Sequence, residues 1–291
     1  MYFSKYSFYK IKDSKVDKKN FKEGIIVKKQ DYLKRIGINR DVGVGLNSLR
    51  LIQRQHLLTV PFENLDIHIY NQIKIDYDLL YKKIVYKKRG GICYELNWLL
   101  YTLLKDIGFN TKVLGGKVLE KNGTYLDHML LLVEISSIKY LVDVGYGDNF
   151  LEPLVFEIDI VQRDKKGLFK VEKVNDIYFE LKKYSYEIND FKTEYIFKNE
   201  EKRIHDFKDR IEYFTNSQES IFKKNLFCSL EKEDGRISLK HDKLIFTQNG
   251  SKIAEKITSP IKYIYCLNEK FKINLNLNEQ KNLEELWYKY I

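Results

Sequence analysis

Apolar residues recur at three- and four-residue spacing from Asp31-Tyr32-Leu33 to about Gly108, and Leu49, Ile52 and Leu57 form one such stripe. This period predicts a mainly helical first third. The clearest run, Leu96, Leu99, Leu100, Leu103 and Leu104, stops near Gly108 and places Cys93 in the first turn of its helix. After Gly108 the period shortens. Lys112-Val113-Leu114, Met129-Leu130-Leu131-Leu132-Val133 and Tyr140-Leu141-Val142-Asp143-Val144 are separated by Gly115-Gly116, Asn122-Gly123 and Gly145, which predicts a β meander or barrel. Past about residue 210, Arg236-Ile237-Ser238-Leu239 and Leu244-Ile245-Phe246 read as strands, with Asp234-Gly235 as a hairpin turn. Helical spacing returns from Leu277 to Trp287. Residues 1 to about 26 are lysine-rich and weakly patterned, and are expected to be an appendage to the main fold. No internal repeat is present, and 3 prolines mark no obvious linker.

A chain of 291 residues with 44% hydrophobic side chains can bury a real core, as one large domain or two to three small ones. Its formal charge of +10 suits a phosphorylated ligand. The lysines are scattered, however, and form no basic arm or basic-aromatic block, so no nucleic-acid partner is expected. Cys93, Cys228 and Cys266 lack CxxC spacing and suggest neither a disulfide framework nor a metal site. The amino terminus has no apolar signal core, and the longest aliphatic run, Met129 to Val133, is too short to cross a bilayer. The expectation is a soluble cytoplasmic protein with no membrane partner. The sequence leaves its oligomeric state open.

The stretch Arg89-Gly90-Gly91-Ile92-Cys93-Tyr94-Glu95-Leu96-Asn97 sets a lone cysteine where a glycine turn feeds a helix. Free amides and the helix dipole there favour negative charge on sulfur, although an isolated intracellular cysteine is more often a small buried hydrophobe. A cysteine nucleophile needs a base, and the base needs an acceptor behind it. His128 opens one strand-like run. Asp143 lies among valines in another and is costly to bury unless paired. Adjacent strands would hold the two side by side, with the Cys93 helix packed across them. Asp143 bonding only to the Gly145–Gly147 turn is the alternative. His56, His68, His205 and His241 compete with His128; His56 reads as packing or capping, while His205 and His241 sit among charges and read as exposed.

The same stretch resembles the RGGxCxExN signature of the arylamine N-acetyltransferases. Pro61-Phe62-Glu63-Asn64-Leu65 matches their PFEN motif, Asp143-Val144-Gly145-Tyr146-Gly147 matches their DxGFG, and a fainter echo lies in Phe227-Cys228-Ser229-Leu230. The resemblance runs from about Asp31 to the C-terminus. It implies an α+β fold: residues 27–108 as an N-terminal helical bundle carrying the nucleophile, 109–210 as a central β-barrel carrying His and Asp, and 211–291 as a C-terminal α/β lid. It further implies a cysteine-protease-like triad in which Cys93 is nucleophile, His128 base and Asp143 orienter. Acetyl-CoA would be the acyl donor, with ping-pong transfer through a cysteine thioester to an arylamine, arylhydrazine or arylhydroxylamine.

On the same basis Phe62, Val118 and Tyr146 would line the amine pocket, and Tyr213, Ser217 and Ser220 would face the CoA cleft. Arg89 and Glu95 would brace the helix and turn. The chain departs from the pattern at Tyr146, at Tyr94 and in its N-terminal extension. The Tyr146 hydroxyl would narrow the pocket or bind a polar substituent. The alternative within this fold is an amide synthase or cyclase that releases an acyl chain from a carrier thioester onto an aromatic amine; outside it stand thiol hydrolases and transglutaminases.

Overall fold

Leu96, Leu99, Leu100, Leu103 and Leu104 are all buried on helix α5 (Cys93–Ile107). The helix stops where expected, because Gly108 adopts a left-handed conformation (φ 108°) and its N–H returns to the Leu104 and Lys105 carbonyls. The computed structural model describes residues 28–118, 123–248 and 250–290, so the lysine-rich stretch up to residue 26 lies outside the described residues. Before α5 come α1 (residues 28–35), α2 (Leu46–Thr59), strand β1 (Phe62–Glu63), α3 (Leu65–Ile69) and α4 (Tyr77–Tyr81). The last of these runs on into a π-helical turn, Lys82–Tyr86. Leu49, Ile52 and Leu57 are buried along α2, as their spacing predicts.

The next segment forms an eight-stranded antiparallel sheet in the order β5-β4-β3-β2-β9-β8-β7-β6. Its strands are β2 (Asn110–Val118), β3 (His128–Ile135), β4 (Ile138–Val142), β5 (Leu154–Val155), β6 (Gln162–Asp164), β7 (Gly167–Lys173), β8 (Tyr178–Ser185) and β9 (Asp190–Lys198). The sheet curls until its ends meet. The Gln162 side chain accepts from the Val155 N–H at 2.7 Å and donates to the Val155 carbonyl at 2.8 Å, while Asp164 accepts from the Leu151 and Glu152 amides. The result is a nearly closed barrel.

The continuous apolar run on β3 follows from this placement, since both of its faces are covered. Leu130 and Leu132 point into the barrel with Phe150, Phe169 and Phe197, whereas Met129, Leu131 and Val133 pack outward against the helices. Helix α5 lies across β2 and β3 on that outer side.

After a short 3-10 turn, Ile204–Phe207, come α6 (Lys208–Asn216) and α7 (Ile221–Lys224). A five-stranded antiparallel sheet then follows in the order β1-β10-β11-β12-β13, using β10 (Phe227–Lys232), β11 (Gly235–Lys240), β12 (Lys243–Gln248) and β13 (Ser251–Lys256). The β10–β11 turn is formed by Glu233 and Asp234, because Gly235 already pairs with Lys232. Helices α8 (Pro260–Phe271) and α9 (Leu277–Tyr290) cover this sheet and close a core containing Cys228, Tyr263, Cys266, Phe271 and Trp287. Strand β1 joins it from far up the chain, pairing Phe62 with Ser229 and Glu63 with Cys228. Among the described residues, no helix is long and apolar enough to cross a membrane.

Candidate active site

Cys93 is the first residue of α5 and is buried. The turn before it is dictated by close approach: a Cβ on Gly90 would stand 1.8 Å from the Pro61 carbonyl oxygen. Glu95, in the first turn, accepts from the Ile92 N–H at 3.0 Å and from Lys83 at 2.8 Å. This is half of a capping box, since Ile92 has no side-chain oxygen to return the bond. Burial pushes the Glu95 carboxyl up to about 7 against the pull of the Lys83 ammonium.

Arg89 holds the turn from beneath. Its guanidinium donates to both Glu63 oxygens, at 2.9 and 3.1 Å, and to Asp66 at 2.8 Å. Glu63 also accepts from the Gly90 and Leu65 amides. Two such buried charges are tolerable because nearly every hydrogen-bonding position is used, and removing either partner from a pair of this kind costs roughly 3–5 kcal/mol. The neighbouring Asn64 reaches the opposite way. Its side chain donates to the Phe222 and Asn225 carbonyls at 2.8 and 2.6 Å and accepts from the Phe227 N–H at 2.9 Å. Consecutive residues of one short motif therefore tie the cysteine turn to the chain between α7 and β10.

His128 opens β3, and Asp143 follows the last residue of the adjacent strand β4. The His128 Nε2–H donates to Asp143 Oδ2 at 2.7 Å, and the imidazole shares one cavity with Cys93. Burial acts to lower the imidazole's pKa, but the Asp143 carboxylate and Cys93 outweigh it and hold the group at about 10. Asp143 is fully buried and surrounded by donors: Asn97 Nδ2 at 3.0 Å, the Gly145 N–H at 2.9 Å, Asn149 Nδ2 at 3.2 Å and the Tyr195 hydroxyl at 3.2 Å, besides the imidazole. Burial would raise its pKa, yet the imidazole, Asn97 and Gly145 keep it below the ordinary carboxylate value. Burial and the Asp143 charge in turn push Tyr195 well above its ordinary value, so it remains a neutral donor.

A cavity of about 180 Å³ opens beside Cys93 and His128. Phe62, Val118 and Tyr146 line it, as do Phe214, Ile221 and Phe222 from the α6–α7 segment. All three residues expected in an amine pocket are thus brought together beside the thiol. The Tyr146 hydroxyl donates to the Glu194 carbonyl at 3.0 Å, and its ring stands edge-on to His128, 5.2 Å away. That bond anchors the ring against β9 as a wall of the cavity.

Tyr213, Ser217 and Ser220 flank this cavity without lining it. Tyr213 lies under the Arg210 guanidinium, and Ser217 accepts from the Glu219 N–H. The Ser220 hydroxyl is buried, donating to the Phe214 carbonyl and capping α7.

The other histidines are occupied elsewhere. His56 is buried against the Tyr32 ring, and burial together with the Arg35 charge lowers it to about 3. His68 Nε2 lies 2.9 Å from the Phe222 carbonyl and 3.1 Å from that of Asn225. His205 is exposed, as its charged surroundings predict. His241 is half-buried instead of exposed, because its Nε2 bonds the Asn225 side chain at 3.0 Å and seats it against the segment leading into β10.

Asn149, Tyr195 and Arg210 belong to the site's surroundings and carried no sequence signal, since each meets the site only through the fold; Asp127 went unread although it immediately precedes His128. Asn97 was legible in part: it lies four residues after Cys93, on the same helix face.

A helical layer, a nearly closed barrel and a helix-borne thiol beside an imidazole define a mixed α+β scaffold that sets a cysteine and a histidine at one cavity. The N-acetyltransferase family model matches residues 45–280. The arylamine N-acetyltransferase liver isozyme of Gallus gallus is 33% identical over 72% of this chain and 81% of its own length. The structure of the arylamine N-acetyltransferase from Mycobacterium abscessus superposes with a TM-score of 0.83 at 24% identity, over 92% of this chain and 97% of that one. A Bacillus cereus arylamine N-acetyltransferase, described as having a unique Cys-His-Glu catalytic triad, superposes at 0.76 with 29% identity, over 85% and 99%. The chain belongs to the arylamine N-acetyltransferase family and is an acyltransferase.

Proposed function

We propose that this enzyme transfers the acetyl group of acetyl-CoA to a small aromatic amine or hydrazine through an acetyl thioester on Cys93. The observation that carries the reading is a buried thiol, Cys93, that shares an apolar cavity with the imidazole of His128, itself hydrogen-bonded to the buried Asp143. Cys93 sulfur attacks the thioester carbonyl carbon, forming a carbon–sulfur bond. The tetrahedral intermediate then collapses with the CoA sulfur as leaving group, which takes a proton from the imidazolium. In the second half the amine nitrogen attacks the acetyl carbon, Cys93 leaves as thiolate, and His128 collects the proton shed by nitrogen. Asp143 stays ionised and holds the ring with Nε2–H toward itself, which leaves Nδ1 for sulfur. Amides at the α5 N-terminus favour the developing oxyanion.

Cavity size supports a small acceptor. An apolar cavity of about 150 Å³ accommodates benzene, so about 180 Å³ suits one aromatic ring with a small substituent. A long carrier-bound acyl chain, as an amide synthase would release, exceeds that space. Weakly basic aromatic amines are neutral near pH 7 and need no prior deprotonation.

The test is incubation with acetyl-CoA alone, followed by mass spectrometry of the Cys93 peptide. An acetyl adduct is expected on Cys93, absent from Cys93→Ala and discharged by an added arylamine. If wild-type Cys93 stays unmodified, the reading fails.

A further inference from the structure

Asp127 immediately precedes His128 and lines the cavity, and its carbonyl oxygen lies 4.0 Å from Cys93 Sγ. A carboxylate on a residue that lines the same cavity opposes negative charge on sulfur, and burial pushes its own pKa above the ordinary value. The fold answers that charge from a different element. Arg210, on α6, pairs through Nε with Asp127 Oδ1, and both side chains are almost enclosed. The Thr124 amide and hydroxyl donate to the same carboxylate at 2.7 and 3.2 Å.

The Arg210 guanidinium also lies over the rings of Tyr213 and Phe214, 4.1 and 4.7 Å from their centres, and Phe214 is a cavity wall. From the other side the Tyr94 hydroxyl donates to the Leu126 and Asp127 carbonyls at 2.7 and 3.0 Å. The segment leading into His128 is therefore clamped between α5 and α6.

We propose that Arg210 is a positioning residue for the reacting pair: it neutralises the Asp127 carboxylate beside Cys93 and His128 and locks residues 124–128 to the aromatic wall of the cavity. The proposal rests on the acyl-transfer reading only in taking Cys93 and His128 as the reacting groups. Around those two stand Asp127 before β3, Asp143 after β4, Tyr94 on α5, Tyr146 in the loop after β4, Tyr195 on β9 and Arg210 on α6. Burial keeps Tyr94 and Tyr195 neutral. Arg210 brings a cation to this group, so removing it leaves an uncompensated negative charge that tightens proton binding at both sulfur and imidazole.

The pH profile of Cys93 alkylation by iodoacetamide, read on the Cys93 peptide without acetyl-CoA, separates this charge role from mere packing. In Arg210→Met both limbs of the profile are expected to move to higher pH by about one unit, the scale of a unit charge acting through a partly screened interior. Asp127→Asn, which leaves the arginine unopposed, should move them to lower pH. The double variant and Arg210→Lys should fall near wild type. Limbs that stay in place in both Arg210→Met and Asp127→Asn, with only the maximal rate reduced, would overturn the proposal. Because the assay needs no acyl donor, a missing acetyl adduct on the wild type would sink the acyl-transfer reading and leave this measurement standing.

Discussion

A Cβ added to Gly145 would stand 2.5 Å from Cys93 Cα and 2.7 Å from Asn97 Nδ2. The first contact is backbone and the Asn97 amide is held by the Met129 carbonyl and Asp143, so the backbone of α5 would have to withdraw from the loop after Asp143. The Gly145 N–H also donates to Asp143, so the same displacement would loosen the carboxylate. Gly145→Ala is expected to lower kcat/KM for arylamine acetylation about 100-fold, the cost of misplacing reacting groups by about an ångström, while circular dichroism still reports a folded chain. Near-wild-type turnover would show that the backbone absorbs the methyl group. At this scale the sequence was informative wherever a residue type was chemically demanding. Cys93, His128 and Asp143 could be picked out and do come together. Asn149 and Tyr195 could not, because a tyrosine in a strand has no mark distinguishing a donor to a buried carboxylate from an ordinary core residue.

The three cysteines ride on three different elements, and those elements give them different chemistry. Cys93 begins α5 beside an imidazole. Cys228 lies within β10, where burial and then the Glu63 charge push its thiol well above the ordinary value. Cys266 is on α8, and burial followed by the Glu255 charge raises it too. Iodoacetamide near pH 7 should therefore label Cys93 much faster than the other two, measured by peptide mass spectrometry over time; equal rates at all three would contradict the assignment of Cys93 as the reactive thiol.

Element identity was readable where periodicity was long or the run was both-faces buried, as in α5 and β3. It was not readable in β1, a two-residue strand inside a helical stretch, whose partners, β10 and the Gly91 backbone, are supplied from elsewhere in the chain. Helix α8 was not anticipated, since helical spacing was read only from Leu277; it starts at Ser259-Pro260, where the Ser259 side chain accepts from the Lys262 N–H and proline takes the first position.

Three cores make up the molecule: one between the helices and the outer barrel face, one inside the barrel, and one between the five-stranded sheet and α8–α9. The buried His128–Asp143 pair stands where the first two meet, which makes its protonation a property of the whole fold. His128 holds its proton to about pH 10, whereas an unfolded histidine releases it near about 6.5. Its stabilising contribution is thus complete below about pH 6.5 and disappears as the pH rises through about 10. Thermal unfolding should show wild-type stability falling across that window more steeply than His128→Gln does. Parallel slopes for the two proteins would mean that the native imidazole is not the proton-holding group. At the acid end the sign reverses: Asp143, held below its ordinary value, stabilises above about pH 4 and loses that contribution as the pH falls.

The sequence by itself determined the helix that starts at Cys93 and the texture change after Gly108, because these depend on residue types at short, regular spacings; its resemblance to known motifs gave the family and, with it, the candidate reactive residues. The tertiary structure alone decided what surrounds that chemistry. Asp143 draws its donors from α5, its own loop, β3 and β9, and the cavity wall comes from α6 and α7 across to β1. Contacts of that kind join residues far apart in the chain, so their partners are chosen by packing and by the need to satisfy buried charge, neither of which leaves a local pattern to read.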